Sequence, residues 1–392
     1  MLHYIERILS RDLNERLSWF PAVAILGPRQ CGKSTLAGEL LKKYPESLYI
    51  DLERPSHKRI LTDSEAFFRG NRNRLICIDE IQQSPELFPV LRSEIDADRR
   101  PGRFLLLGSA SPELIRGTSE SLAGRISYLE LTPFRIDELR NIPASSLYLH
   151  WVRGGFPESL LAESDEKSRV WRDDFRRTFL ERDIPLFGIS LSREMIHRFW
   201  VMCGWNSAQS INYSKIADSL GLSHTTIRHY IDIFTAAYMT RTVMPYQSNT
   251  GKRLVKAPRI YIRDTGILHS LLEINDYNTL ASHLHYGSSW ESYAVESLLA
   301  ALPSGFSHAF YRTEKGAEID LVLTRGSDTY AVECKAHTAP TVTRGFWNAI
   351  EDIKPKMSFI AAPVEQSYVF DEKKNVWVGN PLHILNKILK QF

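Results

Sequence analysis

The stretch "AVAILGPRQCGKSTLAGELLKKY", Ala22 to Tyr44, joins three pieces whose order decides the fold of the N-terminal third. An apolar run, Ala22 to Leu26, reads as a buried strand. It enters Gly27-x-x-x-x-Gly32-Lys33-Ser34, after which Leu36, Leu40 and Leu41 give the apolar face of an amphipathic helix. Glycines let successive backbone N–H groups turn toward one point, and a helix start adds partial positive charge there, so the stretch is built to hold phosphate. Lys33 is expected to reach the β- and γ-phosphates, and the Ser34 hydroxyl to sit on Mg²⁺. The nucleotide-contacting loop is therefore expected to comprise Gly27, Pro28, Arg29, Gln30, Cys31, Gly32, Lys33, Ser34 and Thr35.

Further strands follow at the spacing of an alternating α/β chain. "SLYIDLE" is the second, and "RLICIDEIQQSPEL" contains a buried one, Leu75 to Ile78, that ends in Asp79-Glu80. Asp79 would hold the magnesium shell, while Glu80 would polarise the attacking water. Alone, such a pair reads as a solvated strand end; behind a phosphate loop it reads as catalytic machinery. "RFLLLGSAS" ends in Gly108-Ser109, and Ser109, at the tip of a strand expected between the first two, could sense the γ-phosphate. Arg125 precedes a fifth strand, Ile126 to Leu131, and is a candidate for reaching a nucleotide of its own or a neighbouring subunit; a solubilising charge is the plainer reading. Residues 1–140 are expected to form a doubly wound α/β domain that binds and hydrolyses ATP.

At 392 residues the chain calls for two or three domains. With 43% hydrophobic and 24% charged residues it is not a disordered chain. A net charge of +3 permits nucleic-acid binding through a local basic face without arguing for it. Cys31, Cys77, Cys203 and Cys334 have no paired spacing, which fits free thiols in a reducing compartment and not a zinc site. The start "MLHYIERILSRDL" has charges where a signal peptide needs an apolar core, and no apolar run approaches the roughly 20 residues of a membrane span. A cytoplasmic protein with no membrane partner is expected.

Residues 141–250 read as a helical connector, with Trp171, Phe175, Phe179 and Leu180 on one face, followed by a helix-turn-helix. In "NYSKIADSLGLSHTTIRHYIDIFTAAYMTRTVMPY", Ile216, Ala217 and Leu220 face inward, Gly221 makes the turn, and Ser223 caps a second helix that buries Ile227, Ile231 and Phe234. "MTRTVMPYQSNTGKR" is a candidate β-wing. His224, Thr225, Thr226, Arg228 and His229 would face DNA, although the helix is not strongly basic and such modules also dock proteins.

Residues 251–392 change character. After a helix in "GSSWESYAVESLLAAL", the strands Ile319 to Leu323 and Tyr330 to Cys334 are joined by "TRGSD". Asp320 and Glu333 can meet across that pair, and Lys335 projects from the same face as Glu333. Converging carboxylates call for a cation, and Mg²⁺ suits one or two of them. Glu291 on the helix would be a third acid, and Glu318 a weaker addition. Arg312, Lys315, Arg325, Lys335 and Arg344 are candidates for a basic rim.

Glu291, Asp320 and Glu333-Cys334-Lys335 together resemble the PD-(D/E)xK nuclease superfamily, with Ile319 where its name has proline. The chain as a whole resembles a bacterial and archaeal family of AAA-type ATPases, through "GPRQCGKST", "LICIDEIQQSPEL", "LLLGSAS", "SLAGR", "FLERDIP", "YIRDTGIL", "WESYAVESLL", "GAEIDLVL" and "AVECKA". The resemblance implies a P-loop AAA-type core, a winged-helix middle and a restriction-endonuclease-like α/β C-terminal domain. ATP and Mg²⁺ would be the cofactors, and Asp320 and Glu333 would hold a second metal. Two functions stay open: an ATPase acting on DNA with a metal-dependent nuclease, or a nucleotide-dependent interaction switch with a silent nuclease-like domain. Arg125 acting in trans would make the protein a homo-oligomer; in cis, a monomer suffices.

Overall fold

A parallel sheet whose three inner strands are buried on both faces organises the N-terminal part. The computed structural model describes residues 4–109, 122–139, 146–189, 192–247 and 253–392. The strands β1 (Ala22–Leu26), β2 (Leu48–Asp51), β3 (Ile76–Asp79), β4 (Phe104–Gly108) and β5 (Ile126–Glu130) form one sheet in the order β2-β3-β4-β1-β5, every pairing parallel. Apolar side chains of β1, β3 and β4 pack with Phe68, Phe88, Leu91 and Ile95 of the covering helices. The sheet with its helices has the architecture of a P-loop α/β fold. β4 lies between β1 and β3, so the tip carrying Ser109 separates the first and third strands and not the first two.

The chain divides into two compact units. One comprises residues 1–134 with the short segments 186–188 and 236–238, and the other the remainder. The middle and C-terminal parts, expected to be separate, share the second unit for a structural reason. Tyr246 N–H donates to Phe310 O at 2.6 Å and Val255 N–H to Arg312 O at 3.0 Å, carrying backbone pairing across the expected boundary at 250. Moreover, β8 (Arg259–Ile262) is the central strand of a three-stranded antiparallel sheet with β6 (Gln209–Ser210) and β7 (Thr240–Val243). The boundary at 140 and the tip of the expected wing, residues 248–252, lie outside the described residues.

The helix Tyr213–Leu220 is capped by Asn212, whose side chain accepts from Lys215 N–H at 3.0 Å. It ends at Gly221 in the left-handed region, φ 65°. Ser223 Oγ accepts from Thr226 N–H at 3.1 Å and opens the helix His224–Ala236. Buried positions are those expected, Ile216, Ala217 and Leu220 on the first and Ile227, Ile231 and Phe234 on the second.

The C-terminal sheet has β9 (Ser307–Arg312), β10 (Glu318–Arg325), β11 (Asp328–Cys334), β12 (Met357–Ala361), β13 (Tyr368–Asp371) and β14 (Val376–Gly379), in the order β13-β14-β12-β11-β10-β9. β9, β10 and β11 run antiparallel, whereas β12 is parallel to β11. We label α1 (Lys33–Leu41), α2 (Leu87–Ala97), α3 (Tyr286–Ala301), which precedes β9, and α4 (Arg344–Ile353), which connects β11 to β12. Among the described residues, no helix is long and apolar enough to cross a membrane.

Candidate functional site

The phosphate loop folds as its glycines require. Gly32 has φ 100° and starts α1 without a side-chain cap, leaving the first backbone N–H groups of the helix available to an anion. Gly27 lies against the backbone beyond β5, where an added Cβ would fall 2.2 Å from Leu131 O. Lys33 is buried and its Nζ donates to Gly27 O at 3.0 Å and Pro28 O at 2.7 Å. Arg7, a residue the sequence reading missed, donates to Cys31 O at 2.9 Å and Thr132 O at 2.7 Å, tying the loop to the segment after β5. The buried Cys31 Sγ donates to Leu131 O at 3.3 Å, and burial pushes its thiol pKa up.

Two strand ends complete the arrangement. Ser34 Oγ donates to Asp79 Oδ2 at 2.6 Å, and the Tyr49 hydroxyl from β2 donates to the same oxygen. The second Asp79 oxygen accepts from Glu80 N–H at 2.9 Å. Glu80 sits in the left-handed region, φ 55°, which turns its carboxyl out of line with the strand. Gln82 Nε2 donates to Glu80 Oε2 and to Ser109 Oγ, the latter at 2.9 Å, so one amide joins the two groups. Burial pushes the Glu80 carboxyl above the usual range, against Lys33 and with Asp79 adding to the rise. Hard oxygen donors from Ser34 and Asp79 fit a magnesium ion that also takes phosphate oxygens and water. Neither Tyr49 nor Gln82 was expected; Gln82 had a local signal, lying two residues beyond Glu80.

Arg125 is not brought to this loop. Pairing of Ala22 with Ile126 and of Leu26 with Glu130 puts it at the opposite end of the sheet. There it donates through Nε and Nη2 to the two carboxylate oxygens of Asp96 on α2, each at 2.8 Å.

The second acidic group forms a cleft of about 580 Å³. Its lining includes Glu291, Glu318, Asp320, Glu333 and Lys335. The register Leu321 opposite Val332 sets Asp320 across from Glu333, as expected. Lys335 Nζ donates to Glu333 Oε1 at 2.7 Å, and Asp320 Oδ2 accepts from Cys334 N–H at 2.8 Å. Burial, then the Asp320 charge, raises the Glu291 carboxyl pKa and pushes that of Glu333 up to about 8, the latter against Lys335.

A cation of the chain's own reaches one member of the expected metal set, Asp320, but not Glu333. Arg259, at the start of β8, donates through Nη1 to Glu291 Oε1 at 2.8 Å and to Asp320 Oδ1 at 2.9 Å, and through Nη2 to Glu318. Tyr261 donates to Glu291 Oε1 at 2.9 Å. The carboxylates are chemically suited to magnesium, but an arginine already joins three of them, Glu291, Asp320 and Glu318. Among the described residues, no group of three His, Cys, Asp or Glu side chains is arranged to hold a metal ion. Burial opposes the Arg259 charge, yet the carboxylates outweigh it and raise its pKa. A signal existed in "RIYIR": Arg259, Tyr261 and Arg263 share one strand face, and Arg263 meets Glu296 at 3.5 Å.

The expected basic rim is split. Arg312 and Lys335 line the cleft, whereas Arg325 lies at the far end of β10, over the Phe306 and Phe392 rings. Arg344 opens α4, whose Gly345 backs onto Gly316 O.

Three family models match the chain: an AAA domain over residues 20–140, and two domains of unknown function over 144–278 and 286–382. The chain is 38% identical over 356 residues to uncharacterized proteins of Mycobacterium bovis and Mycobacterium tuberculosis, covering 91% of itself and 79% of each. A Walker-type ATPase of Pyrococcus abyssi has a TM-score of 0.45 at 17% identity, covering 69% of this chain and 96% of that one. AMPPCP-bound DnaA from Aquifex aeolicus has a TM-score of 0.30 at 14% identity, covering 58% and 86%. Structural likeness at these scores carries no inference.

Proposed function

Because the chain belongs to one family with the two mycobacterial proteins and carries an AAA domain, we propose that it hydrolyses ATP and acts on DNA. The observation that carries the ATPase reading is the 2.6 Å bond between Ser34 and Asp79 beside the buried Lys33. Lys33 exchanges its loop carbonyls for the β- and γ-phosphates, and the open N-terminus of α1 supports the same anion. Magnesium, when bound with the nucleotide by Ser34 and Asp79, supplies charge neutralisation on the phosphates. Glu80 orients a water and takes its proton, a role suited by a raised carboxyl pKa. Gln82 holds Glu80 to Ser109, so the strand tip that meets the nucleotide is linked to the base. Arg125 would serve only a neighbouring copy's nucleotide, in a homo-oligomer.

The reading of DNA as the partner rests on the middle and C-terminal parts. One strand, two helices joined at Gly221, and two more strands ordered β6-β8-β7 correspond to a winged helix, with His224, Thr225, Arg228 and His229 exposed on its second helix. The succession α3, β9-β10-β11, α4, β12, with Asp320 on the second strand and Glu333 and Lys335 at the end of the third, corresponds to the nuclease-like core.

Steady-state ATP hydrolysis with duplex, single-stranded and branched DNA tests the proposal, with Lys33→Ala as the inactive control. DNA-stimulated turnover is expected. Arg228→Ala should weaken DNA binding and lower the salt slope by about 1, as for one lost phosphate contact. Turnover indifferent to every DNA would move the reading to an interaction switch.

A further inference from the structure

We propose that Arg259 is the resident cation of the acidic cleft, standing in the place a divalent metal would take between Glu291 and Asp320. The inference rests on the nuclease-like reading of the cleft, but concerns what the cleft binds and not what it cuts.

The geometry is exclusive. Arg259 Nη1 lies 2.8 Å from Glu291 Oε1 and 2.9 Å from Asp320 Oδ1. Magnesium bridging the same oxygens would approach each to about 2.1 Å, inside the volume held by that nitrogen. Metal and guanidinium therefore occupy the cleft in turn. Arg259 is only 3% exposed, and the Phe310 ring lies 4.9 Å from its guanidinium carbon. The bridge is consequently a packed element of the interior.

A second observation is an acidic oxygen of the same cleft that the arginine leaves without a partner. Glu333 is 6% exposed and lines the cleft. Its Oε1 is taken by Lys335, but its Oε2 is buried without a hydrogen-bond partner. A buried carboxylate oxygen in that condition is costly to leave uncompensated, and a cation beside Asp320 would satisfy it. Arg259 reaches Glu291, Glu318 and Asp320, and none of these bonds goes to Glu333.

The cation also comes from elsewhere in the chain. The acids lie on α3, β10 and β11, while Arg259 starts β8, paired there with Ser210 of β6 and Val243 of β7. Retreat of that three-stranded sheet from α3 would withdraw the arginine and expose the oxygen set of a metal site. Arg241 of β7 and Arg263 after β8 both meet Glu296, further along α3, and oppose such a retreat.

The experiment is Mn²⁺ binding to the full chain without nucleotide, read by the loss of the free Mn²⁺ paramagnetic resonance signal. Wild type should show no site that Asp320→Asn removes. Arg259→Met should gain one Mn²⁺, bound at least about tenfold more tightly than by wild type, and the gain should vanish in Arg259→Met with Asp320→Asn. If Arg259→Met does not fold, Arg259→Lys, which keeps one charge but cannot bridge three acids, takes its place with the same expectation. A wild-type site lost in Asp320→Asn overturns the proposal, as does a folded Arg259 variant that gains no Mn²⁺. Since no step reads cleavage or ATP turnover, a chain that never cuts DNA can still satisfy every arm.

Discussion

Replacing Gly27 by alanine strikes the phosphate loop without removing a ligand-binding group. A Cβ there would lie 2.2 Å from Leu131 O, a backbone atom that no rotamer change can move. Ordinary contact lies near 3.4 Å, so the segment after β5 or the loop must retreat by about 1 Å. The 2.8 Å hydrogen bond from Leu131 N–H to Leu26 O would stretch with it. Overpacking of this kind costs about 1–3 kcal/mol, and the hydrogen bond contributes about 1 kcal/mol more. We expect a loss of about 2–4 kcal/mol in the N-terminal unit, read from urea unfolding of the full chain. Nucleotide affinity, measured with a fluorescent ATP analogue, should fall by about tenfold or more, since displacing one charge-assisted bond to phosphate suffices for that. Gly38, in the same quoted stretch, is the internal control. It is exposed on α1 with nothing within 4 Å of an added Cβ, so Gly38→Ala should stabilise by about 0.5–1 kcal/mol through helix propensity alone. A Gly27→Ala chain that keeps both its unfolding midpoint and its nucleotide affinity would refute the close approach.

Two pH experiments follow from other groups. Gln82 lowers the Glu80 pKa through its hydrogen bond, so Gln82→Ala should raise it further; because the base must be ionised, the acid limb of the ATPase kcat/KM profile should move to higher pH, and an unmoved limb would show that Gln82 does not act on Glu80. His269 is buried against Val152 O at 2.9 Å and Ser289 Oγ at 2.7 Å, and burial pulls its pKa down to about 3. A lowered folded-state pKa means stability present above about 6.5 and lost as pH falls toward 3, which amounts to about 2 kcal/mol between pH 7 and 5. His269→Gln should abolish that portion of the acid destabilisation, measured by urea unfolding at the two pH values; an unchanged pH slope would count against a neutral buried imidazole.

The phosphate loop was legible because its strand, glycines, lysine and helix are contiguous, so local rules act on one short segment. Asp79 and Glu80 were legible for the same reason, as a polar strand end after an apolar run. The pairing of Asp320 with Glu333 followed from a hairpin, the shortest-range tertiary contact a sheet offers. What escaped were partners brought by distant pairing. Tyr49 reaches Asp79 only because β2 lies beside β3. Whether Arg125 could reach its own chain's nucleotide was not legible, because that depends on strand direction and register, which put it against Asp96. Arg259 is separated from Asp320 by 61 positions, and only the docking of β8 against α3 brings them together. Its alternation with Tyr261 and Arg263 marked a polar strand face, but not what that face would meet.

The central place of β8 has a practical bearing on dissecting the chain. A fragment ending at residue 250 keeps β6 and β7 but loses the strand between them, and these two strands do not pair with each other. Both would present unpaired N–H and C=O groups to solvent, the condition under which strands join other molecules edge to edge. The complementary fragment would carry β8 with both of its edges bare. Cutting at that point therefore yields two adhesive pieces, whereas a division near residue 134 parts from the N-terminal unit only the short segments 186–188 and 236–238.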